Sequence, residues 1–201
     1  MGVDKVILRA FLSTLAAVVA LFLFLVVALI GFYPSTMMEL TYDLGMDSTS
    51  VRYAERAYRE SDDIYYIAYA TEVAIGDGNY GKINSCGEKF IADENFAAYC
   101  AEKNANAPEN AVGSYEQYVY GQVCVAKYAN GEKTLAVERA FELLGTSFPY
   151  NNAAVAVLLK AIQGDDKDTV ALIKGKMEER QESVPVSDTE YFNAILALTT
   201  E

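Results

Sequence analysis

The sequence predicts an all-α protein in which one N-terminal transmembrane helix is followed by a stack of antiparallel helical hairpins. The first observation is an uncharged apolar run over residues 11–33. The second is that, in each of several segments after this run, the apolar residues are spaced so that they lie on one face of a helix. Turns rich in Gly and Asn separate these segments. The third is that no segment alternates for long enough to compete as a strand.

Residues 11–33 predict an uncleaved membrane anchor. The run contains no charge, Pro, Asn or Gln, and its 23 residues would extend roughly 35 Å as a helix, which exceeds a hydrocarbon core of about 30 Å. A secretory signal peptide has a shorter apolar core and a small-x-small cleavage site. This run instead ends in the bulky residues Leu29, Ile30 and Phe32.

The charges beside the span predict its orientation. Lys5 and Arg9 precede it, whereas residues 34–51 contain acidic residues and no Lys or Arg. The positive-inside rule therefore places residues 1–10 in the cytoplasm as a short N-terminus and the remainder on the extracytoplasmic side. A single-pass membrane protein is expected.

The composition makes two classes of partner improbable. The whole chain has 28 acidic and 16 basic residues and a net charge of −12. An acidic outer region is repelled by the phosphates of nucleic acid and of anionic lipid. The alternative interpretation is that the acidic surface serves only solubility.

Helices follow the span in order. Pro34 is expected to end the spanning helix, and the capping-box spacing of residues 36–39 predicts a short juxtamembrane helix to about Leu44, with Gly45 as the stop. Residues 34–46 thus form a juxtamembrane helix and linker. Further helices are predicted over 50–59, over 64–75 with Asp62 or Asp63 as cap, over 80–92 and over 95–103.

A polar segment at residues 104–113 is the predicted linker, and it divides the outer region into two halves. In the second half, Ser114 and Ser187 each begin a capping-box pattern. Asn152 precedes the most apolar outer helix, which is predicted to lie in the middle of the core through Val155, Val157, Leu158 and Leu159. The Asp-rich segment 165–168 lacks the pattern of a calcium loop and predicts a turn and helix cap. The predicted helices run from Ser114 to Tyr128, over 134–144, over 153–162, through Val170 to Met177, and from Ser187 to Leu198.

The three cysteines, Cys86, Cys100 and Cys124, each lie in a helical pattern beside apolar residues, which is typical of small buried hydrophobic residues. A bridge between Cys86 and Cys100 is the alternative in an oxidising compartment. The chain has no histidine, and no Cys spacing fits a zinc site. Neither metal nor cofactor is expected.

Internal similarity points to a helical repeat. The segment Glu-Arg-Ala-Tyr at 55–58 recurs as Glu-Arg-Ala-Phe at 138–141. Tyr120 and Gly121, followed 19 residues later by Ala140 with Val137 before it, resemble the tetratricopeptide repeat (TPR), a helix pair with small residues where its helices meet. The repeat Trp and closing Pro are missing, so the resemblance is to a degenerate TPR-like α-solenoid over residues 47–201.

The resemblance implies a concave groove that binds a protein or peptide partner. Exposed tyrosines would supply large contact area at low entropic cost, and the alternative for each is a core tyrosine with a satisfied hydroxyl. The candidate partner-binding residues are Tyr53, Tyr65, Tyr69, Tyr118 and Tyr128. We therefore expect a membrane-anchored adaptor or scaffold on the extracytoplasmic side, and as the alternative a structural accessory subunit of a membrane protein assembly.

Enzymatic function is not expected. The absence of His excludes Ser-His-Asp and Cys-His catalysis, and no phosphate-binding Gly loop is present. Glu72, within the apolar helix over 64–75, is the one acid whose surroundings predict a raised pKa, while Glu116 and Glu138 lie on other helices. These are ordinary helix positions, and no catalytic residue is predicted.

Overall fold

The computed structural model describes residues 3–108 and 113–200. Within these ranges every regular element is helical, which confirms the predicted all-α class. Eleven α-helices and two short 3₁₀ helices are present in the described residues. They form two compact units, Met1–Asp62 and Asp63–Glu201.

The first unit contains the apolar N-terminal helix, which is the candidate membrane span, and a helical hairpin. Its helices are α1 (Val3–Phe32), α2 (Pro34–Asp43) and α3 (Asp47–Ser61). The part of α1 from Val6 to Phe32 is long and apolar enough to cross a membrane, with a mean hydropathy of 3.1. The apolar helix begins earlier than the predicted residue 11 because Val6, Ile7 and Leu8 continue the pattern around a single arginine.

The junction between α1 and α2 is a single non-helical residue, Tyr33. Pro34 ends α1 as predicted and occupies the first position of α2, which needs no N–H donor. The predicted capping box at Thr36 is wrong, because the helix already begins at Pro34 and Thr36 lies within its first turn. The predicted stop is confirmed, since Gly45 follows the helix with φ of +69°.

The α2–α3 hairpin packs through a small buried interface. Met38 and Thr41 of α2 are buried together with Val51 and Ala54 of α3. The hydroxyl of Ser50 donates to the Met38 carbonyl at 2.8 Å. This bond satisfies a buried polar side chain within an otherwise apolar contact.

A guanidinium ties α3 to the end of α1. Arg56 donates to the carbonyl of Ile30 at 2.8 Å and to that of Gly31 at 2.5 Å. Its Nε also donates to Glu60, one turn further along α3, at 2.7 Å. The last turn of α1 leaves carbonyls without helical partners, and Arg56 supplies two of the missing donors.

The second unit is a set of packed helical hairpins. Its helices are α4 (Ile64–Gly76), α5 (Tyr80–Ala92), α6 (Phe96–Ala105), α7 (Tyr115–Ala129), α8 (Lys133–Leu144), α9 (Ala153–Gln163), α10 (Lys167–Arg180) and α11 (Thr189–Leu198). Successive helices form the pairs α4–α5, α7–α8 and α9–α10. Helix α5 also packs on α7, and α7 packs on α9, so that neighbouring pairs stack. This arrangement is consistent with a helical-repeat fold.

Small residues allow the stacked helices to approach closely. A Cβ atom placed on Gly121 of α7 would lie 3.3 Å from the Cβ of Ala156 on α9. A Cβ atom placed on Gly87 of α5 would overlap Val123 of α7. The predicted repeat positions Val137 and Ala140 are both fully buried in the core. Small residues therefore lie where α5 and α9 meet α7.

The most apolar outer helix, α9, lies at the core, as predicted. Val157 and Leu158 are fully buried and pack with Ile173 and Met177 of α10. The prediction was wrong for Leu159, which is 47% exposed. A helix of this composition buries one side and leaves apolar residues on the other.

Five of the described helices in the second unit have side-chain caps at their N-termini. Asp63, Ser114, Asn152 and Asp166 accept from the backbone of α4, α7, α9 and α10, which confirms these predicted caps. Asn79 caps α5 in the same way by accepting from the Lys82 N–H at 3.1 Å, and this cap was not predicted. The predicted cap at Ser187 is wrong. Ser187 lies in a 3₁₀ helix, Val186–Asp188, and the Asp188 carboxylate instead accepts from the backbone N–H of Phe148 at 2.8 Å.

The predicted linker is shorter than residues 104–113, since α6 continues to Ala105. Asn104 accepts from the backbone N–H of Tyr115 at 2.7 Å, which joins the end of α6 to the start of α7. Residues 109–112 of this predicted segment lie outside the described residues. The two halves it separates pack together, because α6 contacts α7.

Candidate functional site

Tyrosines from three helices meet on one face of the second unit, and we call this set the tyrosine surface. Its members are Tyr65 and Tyr69 of α4, Tyr99 of α6, and Tyr115 and Tyr118 of α7. Three ring pairs connect neighbouring members at centroid distances of 6.2–6.3 Å. Tyr65 and Tyr118 are 48% and 45% exposed, whereas the other three are half-buried. The surface therefore has an ordered aromatic base and two rings that reach into solvent.

Glu72 holds the base of the tyrosine surface together. One of its carboxylate oxygens accepts from the Tyr115 hydroxyl at 2.5 Å and from the Lys103 ammonium at 3.1 Å. Three helices, α4, α6 and α7, are thereby joined at a single oxygen. The Glu72 side chain is 39% exposed and ion-paired, and it is not enclosed by the apolar surroundings that the sequence indicated.

Lys103 places a cation over the aromatic rings. Its Nζ lies 5.4 Å from the centroid of Tyr99 and 5.6 Å from that of Tyr115. Both distances are within the range of cation–π attraction. The tyrosine surface thus already accommodates one cationic side chain, held in place by Glu72.

The ionisation states of this group follow from burial and from Glu72. Burial and then the hydrogen bond to Glu72 raise the pKa of Tyr115 well above its usual value. Burial also raises the pKa of Tyr99. Burial alone would lower the pKa of Lys103, but its hydrogen bond and charge interaction with Glu72 raise it above the usual value. At neutral pH Tyr99 and Tyr115 are therefore neutral, and Lys103 is an ammonium ion.

A pocket of about 360 Å³ opens at the α4–α6 end of the tyrosine surface. Its lining residues are Tyr65, Tyr99, Glu102, Lys103 and Asn106. Two aromatic rings, the Glu102 carboxylate, the Asn106 amide and the Lys103 ammonium surround this space. Because Lys103 is ion-paired with Glu72, Glu102 is the lining charge without an ion pair among the described residues, and together with the rings it can receive one extended side chain that is partly apolar and partly cationic.

The structure brings three of the five predicted tyrosines together and leaves two elsewhere. Tyr65, Tyr69 and Tyr118 belong to the tyrosine surface. Tyr53 is half-buried on α3 in the first unit. The hydroxyl of half-buried Tyr128 donates to Asp166 at 2.8 Å, which fits the alternative of a satisfied structural tyrosine.

Asp166 is a second polar junction in the same unit. Its carboxylate accepts from Tyr128, from Lys133 at 2.8 Å and from the hydroxyl of Thr169 at 2.8 Å. The hydrogen bond from Lys133, followed by those from Thr169 and Tyr128, lowers the pKa of Asp166 well below its usual range. This carboxylate caps α10 and ties it to α7 and α8, so we assign it a structural role.

A second cavity, of about 750 Å³, lies beside Asp166 at the other end of the helical stack. Leu159 and Ile162 of α9, Val170 of α10 and Leu198 of α11 give it an apolar wall. Its charged residues, Lys167, Lys174 and two aspartates, lie on the loop before α10 and on α10 itself. This end groove is distinct from the tyrosine surface.

No disulfide joins the cysteines among the described residues. Cys86, Cys100 and Cys124 are all buried, which confirms their interpretation as buried hydrophobic residues. Burial raises the pKa of Cys100 and of Cys124 to about 12. Within residues 3–108 and 113–200, no group of three or more His, Cys, Asp or Glu side chains is placed to hold a metal ion.

The sequence interpretation missed Tyr99, Tyr115 and the Glu72–Lys103 pair. Tyr115 carries a local signal, because it follows the Ser114 cap and lies three residues before Tyr118 on the same face. Tyr99 and Lys103 show the corresponding spacing of four residues. The meeting of these pairs with Glu72 has no local signal, since 43 residues separate Glu72 from Tyr115.

We compared the chain with protein-family models, with curated proteins and with solved structures, and none of the three comparisons returned a match. The fold defines the class, an all-α protein of packed helical hairpins with one apolar N-terminal helix. The arguments on function therefore rest on the geometry of the tyrosine surface and of the first unit.

Proposed function

We propose that this chain is a membrane-anchored helical scaffold that binds a protein or peptide partner through the tyrosine surface on the extracytoplasmic side. The observation that carries the proposal is the convergence of five tyrosines from α4, α6 and α7 around Glu72 and Lys103. Tyrosine supplies wide contact area while only two side-chain torsions are fixed, so preformed tyrosine clusters are well suited to binding.

The partner chemistry follows from the charges on and around the tyrosine surface. Residues 63–201 carry 21 acidic and 11 basic side chains. Glu102 lines the pocket beside Tyr65 and Tyr99, and Lys103 already uses two ring faces as a cation site. A partner segment with an arginine or lysine between apolar residues would match this surface in both shape and charge.

The anchor and its orientation are part of the proposal. The length and composition of α1 support a span, and Lys5 and Arg9 before it favour a cytoplasmic N-terminus. The second unit would then lie outside. Enzymatic activity is not part of the proposal.

Crosslinking at single positions tests the binding surface. A photoreactive phenylalanine analogue replaces Tyr65 or Tyr118 in the full chain, expressed in its native membrane. Tyr150 is the matched control, because it is a tyrosine of the same unit, 62% exposed, and lies outside the tyrosine surface. We expect one common partner from positions 65 and 118 and a much lower yield from position 150. Equal yields at all three positions would contradict the proposal.

A labelling experiment tests the orientation. Because the three native thiols are buried, the unmodified chain should give no background with a membrane-impermeant maleimide. Val186 is 93% exposed, so Val186→Cys adds one reactive site. We expect labelling in intact cells without permeabilisation. Labelling that requires permeabilised membranes would place the second unit in the cytoplasm.

The alternative function is a structural accessory subunit of a membrane protein assembly, without groove-type binding of its own. The exposed apolar length of α1 favours this alternative if other membrane helices pack on it. The photoreactive analogue at Phe22, in the middle of α1, separates the two functions. A partner captured from position 22 together with no capture from positions 65 and 118 would favour the subunit.

A further inference from the structure

Helix α2 carries two apolar strips, and only one of them is covered by protein. The covered strip, which includes Pro34, Met38 and Thr41, faces the hairpin contact with α3. The second strip consists of Tyr33, Met37, Leu40 and Leu44, whose spacing of four, three and four residues places them along one side of the helix. We call this second set the α2 strip.

The α2 strip is open to solvent in spite of its composition. Tyr33, Leu40 and Leu44 are 57%, 45% and 64% exposed, and Met37 is half-buried. The acidic residues of the helix, Glu39 and Asp43, lie on a different side by the helical spacing. A contiguous apolar strip that stays exposed on a helix whose other side is buried marks a site of contact with a second apolar surface.

The position of α2 in the chain indicates which surface that is. Tyr33 is the only residue between the end of α1 and the start of α2. Its N–H donates to the Leu29 carbonyl of α1 at 3.1 Å, and its carbonyl accepts from the Met37 N–H of α2 at 3.1 Å. The two bonds from Arg56 to the last turn of α1 hold the hairpin at that end. The α2 strip therefore begins where the apolar helix ends.

The length of α1 places this junction at the membrane surface. The apolar stretch of α1 has 27 residues, which at 1.5 Å per residue gives about 40 Å, more than the hydrocarbon thickness of about 30 Å. A span of this length tilts or extends into the headgroup layer. Its last residues, and α2 directly after them, then lie at the level of the lipid headgroups.

We propose that the α2 strip lies in the boundary between headgroups and acyl chains of the membrane that α1 crosses. This inference rests on the proposed span. The occupant of the strip is a lipid surface, because continuity with α1 brings that apolar surface to the strip. The second unit would then be held by a helix that lies along the membrane in addition to one that crosses it.

The contact depends on apolar burial and not on lipid charge. Helix α2 contains no Lys or Arg and two acidic residues. Interfacial helices that require anionic lipid carry basic residues on their polar side. The depth of the α2 strip in the bilayer should therefore be the same in neutral and in anionic bilayers.

The absence of tryptophan from the chain makes a direct test feasible. Three single-tryptophan variants of the full chain are reconstituted in phosphatidylcholine vesicles, with and without bromine on the middle of the acyl chains. Leu40→Trp reports on the α2 strip, and Tyr42→Trp on the same helix is the matched control because helical spacing puts it on the opposite side. Phe22→Trp in the middle of α1 reports on the span itself.

We expect brominated lipid to quench Phe22→Trp and Leu40→Trp by about twofold or more and to leave Tyr42→Trp nearly unchanged. Acrylamide, a quencher in water, should act on Tyr42→Trp only. Replacing half of the lipid by phosphatidylglycerol should change none of these values. Leu44→Trp repeats the strip measurement at a site that is 64% exposed, where a larger side chain does not disturb packing.

The other outcomes are distinguishable. If brominated lipid fails to quench Phe22→Trp, the span is absent and the proposed anchor fails with it. If Phe22→Trp is quenched but Leu40→Trp and Leu44→Trp respond like Tyr42→Trp, the span stands and the α2 strip faces water. If the strip positions are shielded from both quenchers, protein covers them, and the lipid contact is overturned.

Discussion

Gly87→Ala tests the closest helix contact in the second unit. A Cβ atom on residue 87 would overlap Cγ2 of Val123 and lie 3.6 Å from the Val123 Cβ and 3.7 Å from Cγ2 of Thr71. An ordinary contact between carbon atoms needs about 3.5–4.0 Å, so only the Val123 methyl has to move. Val123 is fully buried on α7, and β-branched side chains in helices have one strongly preferred rotamer.

The cost combines two opposing contributions. Overpacking a close-packed core costs about 1–3 kcal/mol. Replacing Gly by Ala inside a helix contributes roughly 1 kcal/mol in the other direction. We expect a net loss of about 0–2 kcal/mol in the free energy of unfolding, which corresponds to a decrease in Tm of up to about 8 °C for a protein of this size.

Gly175→Ala is the matched control. Gly175 lies inside α10, and nothing is within 4 Å of the position where its Cβ would be. The same substitution should therefore raise the free energy of unfolding there by about 0.5–1 kcal/mol. Thermal unfolding of the full chain in detergent micelles, followed by circular dichroism, gives both values.

A double variant identifies the cause of the loss. Val123→Ala removes the overlapping methyl, so Gly87→Ala should cost less in that background than in the native chain, with a coupling energy of about 0.5–1 kcal/mol or more. The reasoning is refuted if Gly87→Ala and Gly175→Ala stabilise the chain equally, since α5 and α7 would then be further apart than the structure places them.

Two further predictions concern polar contacts that join helices. Because the folded state lowers the pKa of Asp166, this carboxylate stabilises the fold above about pH 4 and ceases to do so as the pH falls further. Asp166→Asn should lower the free energy of unfolding at pH 7 by about 1 kcal/mol, a value limited by solvent screening. In this variant, Tm should decrease less steeply between about pH 4 and pH 2.5 than in the native chain. An equally steep decrease in the variant would assign the pH dependence to other carboxylates. Arg56→Met should speed amide hydrogen exchange at Phe32 and Tyr33 by roughly fivefold, because it removes about 1 kcal/mol of hydrogen bonding at the end of α1. Arg59→Met is the control, because Arg59 is exposed on the same helix. Unchanged exchange in both variants would contradict the role of Arg56 at the end of α1.

Local patterns predicted most of the helices. Helix α5 begins and ends at the predicted residues, and Asp63, Asn152 and Asp166 act as the expected caps. These signals are contained within a few neighbouring residues, which is why a single sequence reveals them. The caps at Thr36 and Ser187 were wrong because the same spacing also fits a proline-initiated helix and a 3₁₀ turn.

The tyrosine surface could be predicted only in part. Residue type identified Tyr65, Tyr69 and Tyr118 as candidates, but equally identified Tyr128, whose hydroxyl is bound by Asp166. The difference between these tyrosines depends on which helices pack together. Contacts across tens of residues, such as the one from Glu72 to Tyr115, follow from tertiary packing and have no local pattern.

The two proposed contacts, of a protein partner with the tyrosine surface and of lipid with the α2 strip, should differ in their dependence on salt concentration. At the tyrosine surface, Glu102 and the excess of acidic residues in the second unit favour a basic partner segment. Attraction between exposed charges weakens as the Debye length falls from about 10 Å at 0.1 M salt to about 3 Å at 1 M. The α2 strip depends on removing apolar side chains from water, which salt does not screen. High salt should therefore reduce crosslinking from position 65 while leaving the quenching of Leu40→Trp by brominated lipid unchanged. If both signals fell together, the partner rather than the lipid would be what covers α2.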